Sequence, residues 1–292
     1  MKPAPFAYHR AQSLDHLLRL KADLRGDGII LAGGQSLVPM LNLRLSRPGN
    51  LIDINDLVEL DHVHARDGML RIGAMVRHHR IATHPLVRRH HPLVAGMASM
   101  IGYHAIRQRG TIGGSLTLAD PSAHFPLAAM LCDATLVLRS TRGERSVPYR
   151  ALYLSPLNCA LEDDEIVRSV LFPIPPPGCR MEAEIFHLNH GGFPLAACAV
   201  ALTADARGGV ATLTLVIAAG GLRPVVLDRE LDGFLGAGPD AGLPAAIAGH
   251  VAAILPLEDT AKAPAAYLSA VVRRCATLCV TRALAPRAGE PA

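Results

Sequence analysis

Hydrophobic positions in the first part of the chain alternate between strand-like runs and helix-like periods. Residues 29–32 (IILA) form an apolar run that ends at a glycine pair, and the helix-periodic segment LVPMLNLRL follows. LIDI at 51–54 predicts a second strand, and Asp67-Gly68 separates two strand-like runs, which predicts a hairpin. This part of the chain is therefore predicted to mix helices and strands.

From about residue 81 to residue 102 the apolar spacing becomes helical. Pro85 and Pro92 predict the starts of separate short helices, because proline is tolerated only in the first turn of a helix. Strand-like runs follow at 134–139 (ATLVLR) and 165–172 (EIVRSVLF). Two more strands are thus predicted before the chain reaches a proline-rich segment.

The segment PIPPPG at 173–178 marks a predicted domain boundary, since its prolines cannot continue a central strand. Beyond it, EAEIFHL, PLAACAVALTA and VATLTLVIAA predict three strands of a small antiparallel sheet. Helical periodicity then returns in three pieces, at 228–235, 243–255 and 264–284. The predicted fold class is α+β, and the predicted domains are 1–176, with subdomains of about 1–56 and 57–176, and 177–288.

Composition excludes several function classes. Of the 292 residues, 50% are hydrophobic and 18% are charged, so the chain is able to bury a large core. The formal charge is +4 and no long run of one sign occurs, which excludes nucleic acid as the expected partner. No segment has the roughly 18 uninterrupted apolar residues that a membrane span needs. A cytoplasmic protein without a membrane span is predicted.

The six cysteines include no C-x-x-C pair, so the chain has no iron-sulfur ligand run or zinc ribbon of its own. Any iron-sulfur cluster must therefore lie on another chain. Cys275 and Cys279 are spaced to share one face of a predicted helix, but buried free thiols usually act as small hydrophobes. We predict that they belong to the core and that this chain binds no metal.

Two glycine turns are the candidate ligand loops, LAGGQSLVP at 31–39 and RGTIGGSLTLADP at 109–121. Paired glycines adopt positive φ and let main-chain N–H groups approach one anion. The hydroxyls of Ser36, Thr111 and Ser115 add donors, so a dinucleotide phosphate can be bound without lysine. Neither a G-x-G-x-x-G motif after the first strand nor G-K-[ST] is present, which excludes a Rossmann site and a P-loop.

Other polar clusters have ordinary interpretations. The densest histidine segment contains arginines that would repel a cation, so a solvated or partner-facing basic surface is favoured over a metal site. Its histidines are His78, His79, His84, His90 and His91. The acidic run 163–165 is interpreted as the turn before a strand. No nucleophile elbow or activated cysteine is found, so any chemistry would belong to a cofactor.

The sequence resembles the FAD-binding medium subunits of bacterial molybdenum hydroxylases, such as carbon monoxide dehydrogenase, the N-heterocycle dehydrogenases and the flavin domain of xanthine dehydrogenase. The resemblance covers nearly the whole chain and keeps the order of the family's motifs. It is carried by AGGQSLVPMLNLRLSRPGNLIDI (32–54), GAMVRHHRIATHPLVRRHHPLV (73–94), IRQRGTIGGSLTLADPSAHFPLAAML (106–131), EIVRSVLFPIP (165–175) and SAVVRRCATLCVTRAL (269–284).

The resemblance implies a two-subdomain FAD-binding domain of the vanillyl-alcohol-oxidase (PCMH) type. A C-terminal three-stranded antiparallel sheet with a helical bundle would follow it. The residues implied for the FAD pyrophosphate are Ala32, Gly33, Gly34, Gln35, Ser36 and Leu37, with Thr111, Ile112, Gly113, Gly114 and Ser115. Asp120 and His124 would lie toward the adenosine, the backbone of Val167 would meet flavin or adenine, and Phe193 would stack near the isoalloxazine.

The implied function is electron transfer. Non-covalent FAD in this chain would take electrons from two (2Fe-2S) clusters on a small partner subunit and pass them to an external acceptor. A large partner subunit would carry the molybdenum cofactor, and the implied assembly is a dimer of heterotrimers. Two alternatives stay open, a flavin-free structural bridging subunit and an independent flavin oxidase or reductase of the same fold.

Two departures from the family pattern bear on these alternatives. His124 stands where the family usually has an acidic residue, which changes the expected adenosine contact. At 186–194 the family tends to have F-x-R-R-x-G-D-Y-A, whereas this chain has FHLNHGGFP. Leu188, Asn189 and Gly192 thus replace two arginines and an aspartate, and this altered segment motivates the bridging alternative.

Overall fold

The computed structural model describes residues 2–189, 191–238 and 240–285. It divides into two compact units. Unit 1 contains the chain up to Ala119 together with Asp133–Ile174, and unit 2 contains Asp120–Cys132 and the chain from Pro175 onward. The domain boundary predicted at 176 stays a prediction, and the predicted end of the C-terminal domain at 288 lies outside the described residues.

Unit 1 begins with a parallel sheet built from β-α-β connections. Its strands are β1 (Ala7–Arg10), β2 (Gly28–Leu31) and β3 (Asn50–Asp53), in the order β1-β3-β2. The connecting helices are α1 (Leu14–Asp23) and α2 (Leu37–Asn42). Ser13 caps α1 by accepting a hydrogen bond from the N–H of His16. Leu17, Leu18 and Ile52 are fully or almost fully buried beneath this sheet, so its apolar strand faces form the first part of the core.

The second sheet of unit 1 has five antiparallel strands in the order β4-β5-β10-β6-β7. They are β4 (Val63–Arg66), β5 (Met69–Gly73), β6 (Thr135–Ser140), β7 (Gly143–Pro148) and β10 (Ile166–Pro173). A small ribbon of β8 (Tyr153–Ser155) and β9 (Asn158–Cys159) lies outside this sheet. The turn between β4 and β5 has positive φ at both Asp67 and Gly68, as a two-residue hairpin requires, so the predicted hairpin is confirmed.

Short helices follow strands β5 and β7 of the second sheet. They are α3 (His78–Thr83), α4 (Pro85–His90), α5 (Pro92–Met100), α6 (His104–Arg109), α7 (Ile112–Leu118) and α9 (Tyr149–Leu152). Pro85 and Pro92 are the first residues of α4 and α5, as predicted. The sequence pattern missed β7, because its mostly exposed residues lack an apolar alternation.

Unit 2 is an antiparallel sheet in the order β11-β12-β13-β14. Its strands are β11 (Arg180–His187), β12 (Pro194–Ala204), β13 (Val210–Ala219) and β14 (Val225–Leu227). Its helices are α8 (His124–Leu131), α10 (Leu243–Ile254) and α11 (Ala265–Leu284), with a 3₁₀ turn at Arg229–Phe234. The prediction of three strands was incomplete, since the fourth is three residues long and too short for a periodic signal.

Helix α8 belongs to unit 2 although residues of unit 1 precede and follow it in the chain. Every residue of α8 is buried, and a helix that is apolar on all sides must be covered on all sides. The rest of the core of unit 2 lies between the sheet and α10 and α11. Leu215, Ile247 and Cys279 are fully buried there.

Candidate functional site

The first glycine loop joins the end of β2 to the start of α2. Gly34 has a φ of +71°, in the left-handed region, whereas Ser36 has right-handed helical angles. A glycine with positive φ lets neighbouring N–H groups converge on one anion. Among the described residues, no acceptor lies within hydrogen-bond distance of the N–H groups of residues 33–37. The first loop therefore presents open donors.

The two glycine loops are in direct contact within unit 1. A Cβ atom on Gly33 would stand 2.3 Å from the carbonyl oxygen of Arg109 and 2.9 Å from the Cα atom of Gly110. A Cβ atom on Gly114 would lie 4.0 Å from that of Ala32. The structure thus brings together the two loops that the sequence separates, and Gly33 has to be glycine because backbone fills the space beside it.

The second loop joins α6 to α7, and its donors differ from those of the first loop. Its four N–H groups are all bonded within unit 1: Ile112 to the Val76 carbonyl (3.2 Å), Gly113 to the Ala74 carbonyl (2.9 Å), Gly114 to Thr111 Oγ1 (3.2 Å) and Ser115 to the Thr111 carbonyl (3.0 Å). Thr111 is thus the N-cap of α7. The main-chain N–H groups of this loop are thus used in hydrogen bonds within the fold, whereas those of the first loop are not.

Arg77 forms hydrogen bonds with residues beside both glycine loops. Its Nη2 donates to Asn55 Oδ1 at 2.7 Å, and its Nη1 donates to the carbonyl oxygen of Arg109. Asn55 follows β3, and its side-chain amide lies 2.6 Å from Asp53 Oδ1 and 3.5 Å from the carbonyl of Leu31, the last residue of β2. Arg77 also forms an antiparallel bridge with Thr111 in the second loop.

His78 lies beneath the start of the second loop. Its ring is packed so closely against Gly110 that a Cβ atom there would be 2.6 Å from the ring carbon Cε1. The backbone N–H of His78 donates to the Gly110 carbonyl at 3.0 Å. Burial lowers the pKa of His78 to about 4, so this imidazole is neutral at pH 7.

Val167 is linked to the second loop through the strand beside it. It is buried on β10, directly before a bulge in the pairing with β6 at Arg168. The Arg168 carbonyl accepts from the N–H of Ala74 at 3.0 Å, and the Ala74 carbonyl accepts from Gly113. Of the predicted site residues, 32–37, 111–115 and Val167 thus all belong to unit 1 and are connected.

The other three predicted site residues belong to unit 2. Asp120 Oδ1 accepts hydrogen bonds from the N–H and the hydroxyl of Ser122, at 2.8 and 2.6 Å. His124 is the first residue of α8 and is buried, and its ring lies 6.0 Å from that of His187 at an angle of 25° between the ring planes. Phe193 lies in the β11–β12 connection and is 67% exposed, so its ring presents an apolar face to solvent.

No sequence signal assigned Asn55, Arg77 or the buried role of His78 to the site. No motif marks these residues, because their contacts join segments that are far apart in the chain. The usable signal was positional, since Arg77 and His78 fall directly between the predicted hairpin and the first short helix. That position alone does not reveal which carbonyl or amide the side chains meet.

The sequence matches, over residues 4–175, the family described as the FAD binding domain in molybdopterin dehydrogenase. The chain belongs to this family. It is 37% identical over 221 residues to the 6-hydroxypseudooxynicotine dehydrogenase complex subunit alpha of Paenarthrobacter nicotinovorans, which covers 76% of this chain and 75% of that one. It is 32% identical over 230 residues to the carbon monoxide dehydrogenase medium chain of Hydrogenophaga pseudoflava, 79% of each chain.

Solved structures agree with this family assignment. Quinoline 2-oxidoreductase from Pseudomonas putida contains a chain that matches with a TM-score of 0.92 and 28% identity, over 97% of this chain and 98% of that one. Carbon monoxide dehydrogenase from Hydrogenophaga pseudoflava gives a TM-score of 0.91 at 28% identity, with the same coverage. The predicted resemblance, the mixed α and β fold and the oxidoreductase class are confirmed. The vanillyl-alcohol-oxidase description of unit 1 stays a prediction.

The first glycine loop fits the pyrophosphate of the FAD that this molybdopterin dehydrogenase family is named for. Its N–H groups at 33–37 are open, and donors without acceptors are what an anionic group requires. A Cβ atom on Gly34 would stand 3.1 Å from Val38 and 3.3 Å from Leu31, so a larger residue would crowd both side chains and disturb the loop. The second loop offers the hydroxyl of Ser115 instead of main-chain donors.

The acidic run at 163–165 is the turn before β10, as predicted. The side chain of Glu165 is 4% exposed, and Arg145 binds its two oxygens at 2.5 and 2.7 Å. The N–H of Glu162 adds a third hydrogen bond at 3.0 Å. The hydrogen bond from Arg145 lowers the pKa of Glu165, so this carboxylate is ionised and structural rather than a general acid.

The histidine and cysteine clusters have their contacts within the fold. His78 and His91 are buried, and His91 Nε2 lies 2.7 Å from the Pro173 carbonyl. Cys275 and Cys279 are buried in the core of unit 2, where burial raises the pKa of Cys275 to about 12. In the part of the chain that the structure describes, no three histidine, cysteine or acidic side chains are grouped as metal ligands.

Among the described residues, no helix has the length and apolar character needed to cross a membrane.

Proposed function

We propose that this chain is the FAD-carrying electron-transfer subunit of a molybdenum hydroxylase. It takes electrons from (2Fe-2S) clusters on a small partner subunit and passes them to an external acceptor, while a large partner subunit holds the molybdenum cofactor. The observation that carries the proposal is the open N–H donor set of the first loop, in a chain whose family is named for FAD. Relatives named as a medium chain or a complex subunit support the multi-subunit setting.

Each proposed contact follows from the chemistry of a residue. The N–H groups of residues 33–37 bind the pyrophosphate, with Ala32 fixing the end of the strand before them. Thr111 caps the helix that follows the second loop, and Ser115 contributes a hydroxyl. Asp120 and His124 serve the adenosine, Val167 offers backbone to the ring system, and Phe193 offers an apolar face to the isoalloxazine.

When bound, FAD accepts one or two electrons and so links one-electron clusters to a two-electron acceptor. The chain binds and orients this cofactor. No nucleophile or proton-transfer pair is required of its side chains, and the paired Glu165 and neutral His78 serve the fold instead. The cytoplasmic location and the dimer of heterotrimers belong to the same proposal.

We expect the purified chain to bind FAD non-covalently at about one per chain. Gln35 in the first loop has an amide side chain that donates to the Gly33 carbonyl at 3.1 Å and offers no nucleophile for a flavin bond. Acid precipitation should release all flavin absorbance to the supernatant. Colour that stays in the pellet would contradict non-covalent binding, and a folded chain that takes up no FAD would favour the bridging alternative.

The electron path is tested in the complete complex. Substrate added to the anaerobic complex should bleach the flavin absorbance after the iron-sulfur absorbance, and a complex rebuilt with the flavin-free chain should reduce its clusters but no external acceptor. Acceptor reduction at an equal rate without flavin would overturn the proposal. Oxidation of substrate by the isolated FAD-loaded chain would instead identify an independent oxidase.

A further inference from the structure

The first loop offers dipoles to a pyrophosphate but no charge of its own. Residues 31–39 contain no lysine or arginine, whereas the pyrophosphate of FAD carries two negative charges. Neutral N–H donors bind such a group, and a cation held beside it strengthens each of these hydrogen bonds. We therefore expect a cationic side chain of unit 1 beside the first loop.

Arg77 is held at the point where the two glycine loops touch. The carbonyl oxygen of Arg109 accepts a hydrogen bond from Arg77 Nη1, and the same oxygen lies against Gly33 in the first loop. On its other side the guanidinium is fixed by Asn55 Oδ1 at 2.7 Å. In the described part of the chain, Arg77 is the cation whose hydrogen bonds join the surroundings of both loops.

Some N–H groups of the Arg77 guanidinium are available to bind a ligand. An arginine has five N–H donors in a planar fork. The described residues accept from two of its terminal nitrogens, at Asn55 and Arg109. The remaining N–H groups have no acceptor among the described residues, and a phosphate oxygen is a group that arginine binds well.

Of the two carboxylates that act on Arg77, one is already paired with another arginine. The groups that act on it are the carboxylates of Asp53 and Asp61 and the guanidinium of Arg109. Asp53 is engaged by Tyr8 at 2.5 Å and by Asn55, and Asp61 is engaged by Arg80 at 2.6 Å. From residue 68 to residue 119, the segment that contains Arg77 and the glycine pair of the second loop, the sequence has no acidic residue.

We propose that Arg77 is a positioning residue of the FAD site that provides the positive charge for the pyrophosphate and locks the second glycine loop to the first. This inference rests on the proposed FAD function. Arg109 is the neighbouring cation, but its side chain is exposed and makes no hydrogen bond among the described residues. Its contribution to the loops is the backbone carbonyl that Arg77 binds.

The test is the salt dependence of FAD affinity. The dissociation constant is measured by fluorescence titration of the apo-protein between about 20 and 500 mM KCl, where screening of a charge pair changes most. The proteins are the wild type, Arg77→Met, Arg77→Lys and, as a matched control, Arg89→Met. Arg89 is exposed on α4, and its side chain forms no ion pair with the carboxylates that act on Arg77.

We expect Arg77→Met to bind FAD about tenfold more weakly at low salt, the loss typical of one hydrogen bond to a charged group, and to lose most of the salt dependence. Arg77→Lys should keep the salt dependence because it keeps the charge, yet bind more weakly because one ammonium does not reproduce the planar fork. Arg89→Met should match the wild type. Unfolding of each apo-protein, measured in urea, corrects for any loss of folded protein.

Two results would overturn the inference. If Arg77→Met binds FAD with wild-type affinity and salt dependence, Arg77 does not act on the cofactor. If its affinity falls while the salt dependence is unchanged, its role is structural and the pyrophosphate is not its partner. Failure of the proposed function is recognised separately, since the wild type itself would then bind no FAD.

Discussion

Gly34→Val should lower FAD affinity at least about 100-fold while the protein stays folded. The added side chain crowds Val38 and Leu31, and the β-branched residue resists the φ of +71° that the first loop adopts. Losing two hydrogen bonds to an anion, at about 1.5 kcal/mol each, gives a loss of this size. The measurement is FAD titration of the folded fraction, with folding followed by circular dichroism.

Gly68→Val is the matched control for this prediction. Gly68 has a nearly identical φ of +72°, but it lies in the β4–β5 turn, where a Cβ atom would meet nothing within 4 Å. Both variants thus carry the same backbone strain, of about 1–2 kcal/mol, and only one alters the loop. Equal FAD affinity in the two variants would remove the first loop from the cofactor site.

Gly114→Val should have a smaller effect than Gly34→Val on the same assay. The N–H of Gly114 is already bonded to Thr111 Oγ1, and an added Cβ atom would press on that oxygen at 3.0 Å. The substitution therefore disturbs a helix cap, not an open donor. The two glycines look alike in the sequence, but the structure predicts different losses of FAD affinity when each is replaced.

The stability of the protein should fall as the pH is lowered from about 6.5 toward 4, in part because of His78. Burial holds its pKa at about 4 in the folded protein, against 6.5 when exposed. The unfolded chain therefore binds a proton in this window and the folded one does not, so the stabilisation is complete above pH 6.5 and is lost as the pH falls. At 1.36 kcal/mol per pH unit, the loss approaches about 3 kcal/mol.

His78→Phe should reduce this pH dependence by about 2–3 kcal/mol, as measured by urea unfolding at pH 7.5 and pH 4.5. The other buried histidine with a lowered pKa, His91, is present in both proteins and cancels in the comparison. His104→Phe, which removes an exposed imidazole from α6, is the control. If His78→Phe and the wild type lose stability equally between the two pH values, His78 is not the group that titrates.

The link from His78 to the site is Gly110. Protonation would place a charge against the backbone that begins the second loop, since the ring and Gly110 leave no space between them. In the same pH window we expect the loops to separate more readily, because Gly33 packs on the residue before Gly110. By the proposed function, we therefore expect FAD affinity to fall together with stability as His78 is protonated.

The amino-acid sequence by itself determined most of the local structure. The start of α4 at Pro85, the Asp67-Gly68 hairpin and the long strands of unit 2 follow from proline, turn residues and apolar alternation. These signals are local, because each depends on residues within a few positions along the chain. The glycine loops and the family were found in the same way, since motifs are also local patterns.

Only the tertiary structure decided which loop has free donors. The N–H groups of Ile112 and Gly113 are bonded to carbonyls of Val76 and Ala74, which strand β5 brings beside the second loop. In the first loop no such neighbour is present among the described residues, so its donors stay open. The two glycine pairs look alike in the sequence. They differ only in the backbone that packs against each loop in the folded protein.

The roles of Arg77 and Asn55 were likewise decided by packing. Asn55 follows β3 and Arg77 follows β5, and the two meet only because the folded sheets place these strand ends together. Glu165 gained its structural role in the same manner, through Arg145 on β7, a strand whose polar sequence gave no signal. Sequence periodicity reports which face of an element is apolar. It contains no information on which distant polar group will satisfy a buried donor or charge.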